Sequence, residues 1–349
     1  MKQLRATISC TLRRHALAGL LLIGSNAVCL AASGDEDTAT LAEKARIAFW
    51  VGDFVEIERL TQLSRAPKSE AEVKADLAYQ QRRQVRNGLN GVLGGYKGDG
   101  ELYRAELDAL TLEWARKHPT SATAHILHAG ALLEHAWAYR GGGFANTVTP
   151  QAWADFERYL RRAAEYLNEH GDVAFTDSDA HLALIRIGRG LSWPTSKLWS
   201  IAQAGLKVDP QNLGLYYAVL TSTLPKWQGS TDEVEGYIRE VLTLTKPTRG
   251  MEMYARLYSA AADEHYSHNL FTSSRATWPK MKAGFEDMLK RNADPDTRNA
   301  FAYFACMAKD RPVFLEQIEA LGDREPEFDA WGSNARYTYE ACKRWGNET

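Results

Sequence analysis

Apolar residues recur along this chain at spacings of three and four, and almost never at two. That periodicity lays an apolar stripe along one side of a helix and leaves no alternating pattern for a half-buried strand. Residues 103–117 carry Leu107, Leu110 and Trp114 on one face, and residues 153–167 carry Trp153, Phe156, Leu160, Ala163, Ala164 and Leu167 in a broader band. Segments 285–290, 314–321 and 337–345 follow the same rule. The chain is therefore predicted to be all-α.

Punctuation divides the helices into pairs. His118-Pro119-Thr120-Ser121, Val208-Asp209-Pro210-Gln211-Asn212 and Ala293-Asp294-Pro295-Asp296-Thr297 each stop one helix and start another. Proline disfavours helical geometry in the residue before it, and Ser, Asn or Thr can cap the helix that comes next. Further turns are expected at Gly171-Asp172, Trp193-Pro194-Thr195, Gln228-Gly229-Ser230-Thr231 and Lys246-Pro247-Thr248. Roughly six helical hairpins fit between residues 101 and 346. One or two helices precede them within 38–92, followed by a Gly-rich connector from Gly91 to Glu101.

The first 32 residues read as a secretory signal peptide. Lys2, Arg5, Arg13 and Arg14 are followed by a short apolar run, small residues and then acid from Asp35. Cleavage is expected near Ala31, Ala32 and Ser33, which places the mature chain in the periplasm or outside the cell. Later segments stay below the roughly 18 uninterrupted apolar residues of a membrane span, so a soluble mature protein is expected. Losing residues 1–32 removes four basic and no acidic side chains, which takes the formal charge from −2 to −6. An acidic balance argues against nucleic-acid binding, which needs a basic face. Cys10 and Cys29 leave with the signal, and Cys306 and Cys342 remain. In an oxidising compartment that pair is expected to bridge, between adjacent C-terminal helices; two buried thiols are the other reading. The expected organisation is a signal peptide at 1–32, N-terminal helices with the connector at 33–100 and a helical repeat domain at 101–349.

"KVDPQN" at 207–212 resembles the Asp-Pro junction of tetratricopeptide repeats, and Phe301, Phe304 and Ala305 fall where such a first helix is bulky, bulky and small. Prolines 119, 210 and 295 do not keep the 34-residue period, so several repeats must be lengthened. "EHAWAYRGGG" at 134–143, "LPKWQGS" at 224–230, "FACMAKDR" at 304–311 and "YEACKRW" at 339–345 resemble a bacterial family of exported proteins of unknown function with tetratricopeptide-like helices. The resemblance implies αα-hairpins stacked into a superhelix, and no assigned activity. Stacked hairpins leave a concave face that ordinarily binds peptides or proteins.

The stretch that could carry chemistry is Arg140-Gly141-Gly142-Gly143-Phe144. It follows a helix and lacks the Gly-Lys-Ser/Thr ending and preceding strand of a phosphate loop. A helix C-terminus explains arginine and one glycine, and Thr149-Pro150 can open the next helix. Three glycines suit a longer loop, structural or facing a ligand. Candidate contacts are Trp137, Tyr139, Arg140, Gly141, Gly142, Gly143 and Phe144, with Trp227 from a turn in which Ser230 or Thr231 caps the next helix. His125, His128 and His135 share a helix, and His265 and His268 lie beside Asp263 and Glu264, but neither group has metal-site spacing. No catalytic residue, metal or cofactor is assigned. Acidic pairs such as Asp177 with Asp179 are ordinary in a helical protein, and tryptophans 114, 137, 153, 193, 199 and 227 suit a core better than a sugar groove. The expected function is a protein- or peptide-binding scaffold of the cell envelope without catalysis. A carbohydrate-active enzyme on an all-helical toroid is the alternative.

Overall fold

The computed structural model describes residues 40–65, 77–94, 100–332 and 334–348. The signal segment and its cleavage point lie outside the described residues. Two compact units divide the chain, and most of α3 belongs to the first.

In the first unit, α1 (Leu41–Trp50), α2 (Phe54–Arg65) and α3 (Leu77–Gly94) supply the described helices. The Thr40 hydroxyl accepts from the Glu43 N–H at the start of α1, and the Asp53 carboxylate accepts from the Glu56 N–H at the start of α2. Phe49, Ile57 and Leu60 bury with Val85, Leu89 and Val92, whose spacing of four and three is one stripe of α3. The expected Gly-rich connector is partly helical: residues 91–94 end α3, whereas Gly100 and Glu101 open the next helix.

The second unit contains six successive helix pairs: α4 (Gly100–Lys117) with α5 (Ala122–Arg140), α6 (Pro150–Glu169) with α7 (Ser178–Gly190), α8 (Thr195–Val208) with α9 (Gly214–Thr223), α10 (Thr231–Arg249) with α11 (Glu252–Ala261), α12 (Trp278–Arg291) with α13 (Pro295–Met307), and α14 (Arg311–Leu321) with α15 (Ala335–Asn347). There is no strand among the described residues. Each helix packs on the next, and α5, α7, α9 and α11 also pack in succession on one another as an inner row. Burial follows from that position. The outer helix α6 buries Phe156, Leu160, Ala163, Ala164 and Leu167 and leaves its other side to solvent, whereas α9 is buried over most of its circumference. On α4 the buried stripe is Leu107, Thr111, Trp114 and Ala115, with Leu110 only half-buried.

The junctions use the residues the sequence offers. Ser121 caps α5, Thr149 caps α6 ahead of Pro150, and Asp294 caps α13 ahead of Pro295. Lys246-Pro247-Thr248 is not a turn: α10 runs through Pro247 to Arg249. Proline there removes a bond only in the last turn, and the Arg291 guanidinium donates to the Thr248 carbonyl at 3.0 Å. Gly171-Asp172 also stays helical, as the start of the short turn Gly171–Ala174. Among the described residues, no helix is long and apolar enough to cross a membrane.

Two polar ties fasten the C-terminal half. Glu252 is fully buried and accepts from Arg249 at 2.9 Å, Arg256 at 2.7 Å and Arg291 at 3.1 Å, which joins α10, α11 and α12. Cys306 on α13 and Cys342 on α15 are joined in a disulfide, with Cα atoms 5.9 Å apart. The bridged helices are not sequence neighbours, since α14 lies between them in the chain.

Glu252→Ala is expected to destabilise the second unit by about 3–5 kcal/mol, because three guanidinium groups lose a shared buried counter-charge; urea unfolding followed by circular dichroism measures it. Thiol labelling of the protein should find Cys306 and Cys342 unreactive until reductant is added. Cutting their 36-residue loop should cost roughly 3–4 kcal/mol on the chain-entropy relation.

Candidate binding face

The last two turns of α5 sort their side chains by helical spacing. Glu134 and Trp137 share one side, while His135 and Tyr139 share another. Trp137 meets Phe156 of α6 edge-on, with ring centroids 4.8 Å apart, and Trp227 at 5.8 Å. The structure thus joins two predicted contact residues that lie far apart in sequence. Trp227 is set by a corner in which Leu224 is fully buried, Pro225–Trp227 form a 3-10 turn and Gln228 turns left-handed. Gly229 is required there, since a Cβ would strike the Thr223 carbonyl. Ser230 then caps α10 by accepting from the Glu233 N–H.

Arg140 does not join this pair. Its guanidinium lies over the Trp153 ring and donates to the carbonyls of Gly141 and Gly143, closing its own loop. Of the three glycines only Gly141 has a left-handed φ, +66°, as it ends α5 with its N–H on the Trp137 carbonyl. Phe144 is 84% exposed at the loop tip. Tyr139 stands apart, stacked on His135 and donating its hydroxyl proton to Glu101. The predicted stretch therefore divides into a Trp137 side, a self-bonded loop and a Tyr139 side.

Further side chains extend the Trp137 side across the inner row: Asp263 and Glu264, named in the sequence as an ordinary acidic pair, and Arg189, which the sequence does not single out. Arg189, near the end of α7, places its guanidinium 4.9 Å from the Trp227 ring centre. The Glu264 carboxylate accepts from the Thr221 hydroxyl at 2.8 Å and pairs with Lys226 at 3.0 Å. Glu264 lies in a π-helical turn, Ala262–Tyr266, that continues α11, and Ser267 after it has φ +50°. The groups influence one another. Burial, with Arg186 alongside, brings the Arg189 pKa down to about 10 against the pull of Glu264. Burial raises Glu134 despite nearby Arg186, and partial burial with the Glu264 charge pushes Asp263 up to about 6. Asp263 in turn acts on Tyr303 of α13. Glu134, Arg186, Arg189, Thr221, Lys226, Asp263 and Glu264 therefore form a polar series along the C-terminal halves of α5, α7 and α9 and the turn after α11, with the buried Tyr303 of α13 beyond Asp263.

His125, His128 and His135 are held inside the fold. His125 bonds the Tyr166 hydroxyl at 2.8 Å and the Pro119 carbonyl at 2.9 Å; His128 bonds the Thr111 hydroxyl at 2.9 Å; His135 bonds Asp108 at 2.9 Å. His265 and His268 are exposed. Among the described residues, no group of three or more His, Cys, Asp or Glu is placed to hold a metal ion. Trp114 and Trp199 are core, while Trp137, Trp153, Trp193 and Trp227 are half-buried.

No family model matches the chain, and neither a curated protein nor a solved structure matches it.

His128 supplies a pH-dependent term. Burial, reinforced by Arg162, lowers its pKa to about 4, so the folded state holds it neutral while an unfolded chain takes up a proton near 6.5. Its contribution is therefore present above pH 6.5 and is lost as pH falls towards 4, by roughly 3 kcal/mol in full. Urea titrations between pH 7 and pH 4 should show a steep loss of stability that is shallower in His128→Gln. An equal loss in the two proteins refutes the assignment.

Proposed function

We propose that this chain is an exported protein of the tetratricopeptide-like kind, which binds a protein or peptide partner in the cell envelope through the polar series on its inner helices. One observation carries the reading: charged and aromatic side chains from α5, α7, the α9 corner and the α11 turn gather towards the C-terminal ends of these alternate helices. A surface built one contribution per hairpin suits an extended ligand that crosses several hairpins. Half-buried tryptophans beside arginine are the residue types that concentrate binding energy at protein interfaces.

A carbohydrate-active enzyme has one observation in its favour, the raised pKa of Asp263 beside Glu264. Such an enzyme needs a second carboxyl with a free role as base or nucleophile. Both oxygens of Glu264 are engaged, one by Thr221 and the other by Lys226, and this weighs towards binding.

Selection of displayed peptides on the immobilised mature protein tests the reading. Enrichment of a shared motif is expected, with affinity falling about tenfold or more in Arg186→Glu, as for a lost charge-assisted contact. Arg161→Glu, on the outer helix α6, should leave affinity unchanged. No enriched motif, or equal binding by Arg186→Glu, removes the proposal; hydrolysis of an oligosaccharide that is lost in Asp263→Asn establishes the enzyme instead.

A further inference from the structure

Arg189 occupies the last turn of α7, where a cation ordinarily offsets the free carbonyls of a helix end. It does not bond to them. The side chain is half-buried, its Nε is shut off from solvent without an acceptor, and among the described residues the guanidinium makes no hydrogen bond. The contact it does make is with the face of Trp227, whose own Nε1–H is likewise buried without an acceptor. A guanidinium carries five donors, and an arginine withdrawn from water is ordinarily paired. Two groups in contact with donors left over concentrate that deficit at one place.

The surrounding charges sharpen it. Arg186 stands three residues earlier on the same helix, exposed, and repels Arg189. Of the nearby acids, Glu264 is already engaged by Thr221 and Lys226, and no hydrogen bond joins Glu134 to Arg189 among the described residues.

We propose that Arg189 and Trp227, with Arg186 at the rim and Trp137 as an apolar wall, receive an oxyanion, the carboxylate or phosphate group of a bound ligand. The proposal builds on the reading of this face as a binding surface and names the chemistry recognised there. A guanidinium offers paired N–H groups to two oxygens at once. Contact with the face of the indole restrains that fork before the ligand arrives, which lowers the ordering cost of binding.

Titration of the full-length mature protein, labelled with 15N at its indoles, tests this. Sodium phosphate and sodium acetate are added separately at constant ionic strength, with sodium chloride as reference, and Trp227→Phe identifies the indole signal. The Trp227 Nε1–H resonance is expected to move saturably with at least one oxyanion and not with chloride. Arg189→Gln should weaken the fitted affinity about tenfold or more, the loss typical of a charge-assisted hydrogen bond. Arg186→Gln, at an exposed position, should weaken it less. A response to phosphate alone points to a phosphate-bearing ligand, and a response to acetate alone to a carboxylate-bearing one. No saturable shift with either anion overturns the proposal, and this outcome needs no variant to fold. Peptides selected without any oxyanion response sink this inference and spare the peptide reading. An oxyanion response without selected peptides does the reverse.

Discussion

The structure depends on a shared burial of apolar stripes. No helix of the second unit can hide its stripe alone, so each lies against the next, and within the inner row α7 and α9 are also covered on both sides, by α5 and α9 and by α7 and α11. At about 25 cal/mol per Å² of apolar surface removed from water, this is the dominant favourable term. It also explains the different appearance of inner and outer helices. The outer α6 keeps a charged side with Arg158, Arg161 and Glu157 exposed, whereas α9 has little polar surface to show. Side chains of the inner row reach solvent near the helix ends, and there Arg189, Lys226 and Glu264 collect.

The polar ties act within that frame. Glu252 with its three arginines fixes how α10, α11 and α12 meet, and the disulfide fixes α13 to α15. Buried ion clusters add less to stability than their contact distances suggest, because desolvation offsets much of the attraction. Their clearer effect is geometric: an arrangement that separated the guanidinium groups from Glu252 would strand buried charge.

Much of the fold was legible in the sequence for physical reasons. The sequence periodicity marks the stripe on α6 from Phe156 to Leu167, since a period of 3.6 leaves little freedom once one face is covered. Caps at Ser121, Thr149 and Asp294 are local chemistry and were readable too. Lys246-Pro247-Thr248 misled because a proline in the last turn of a helix removes a single intrahelical bond and leaves the helix free to run on to Arg249. The candidate face was legible only in fragments. Trp137 and Trp227 were named separately, but Arg189 has no local signal: what distinguishes it is a tryptophan brought beside it by the stacking of α7 and α9. The glycine run drew attention by composition, yet one glycine meets a backbone requirement and the arginine is turned inward on its own loop.

The junction around Glu252 has an evolutionary asymmetry built into it. Arg249 and Arg256 converge on one oxygen of the carboxylate and Arg291 alone serves the other, so drift is buffered between Arg249 and Arg256 but not at Arg291. Position 252 has no such redundancy. Lineages that diverge at Arg249 or Arg256 should still hold an acid at that point, and one that abandons it must remodel all three arginines together.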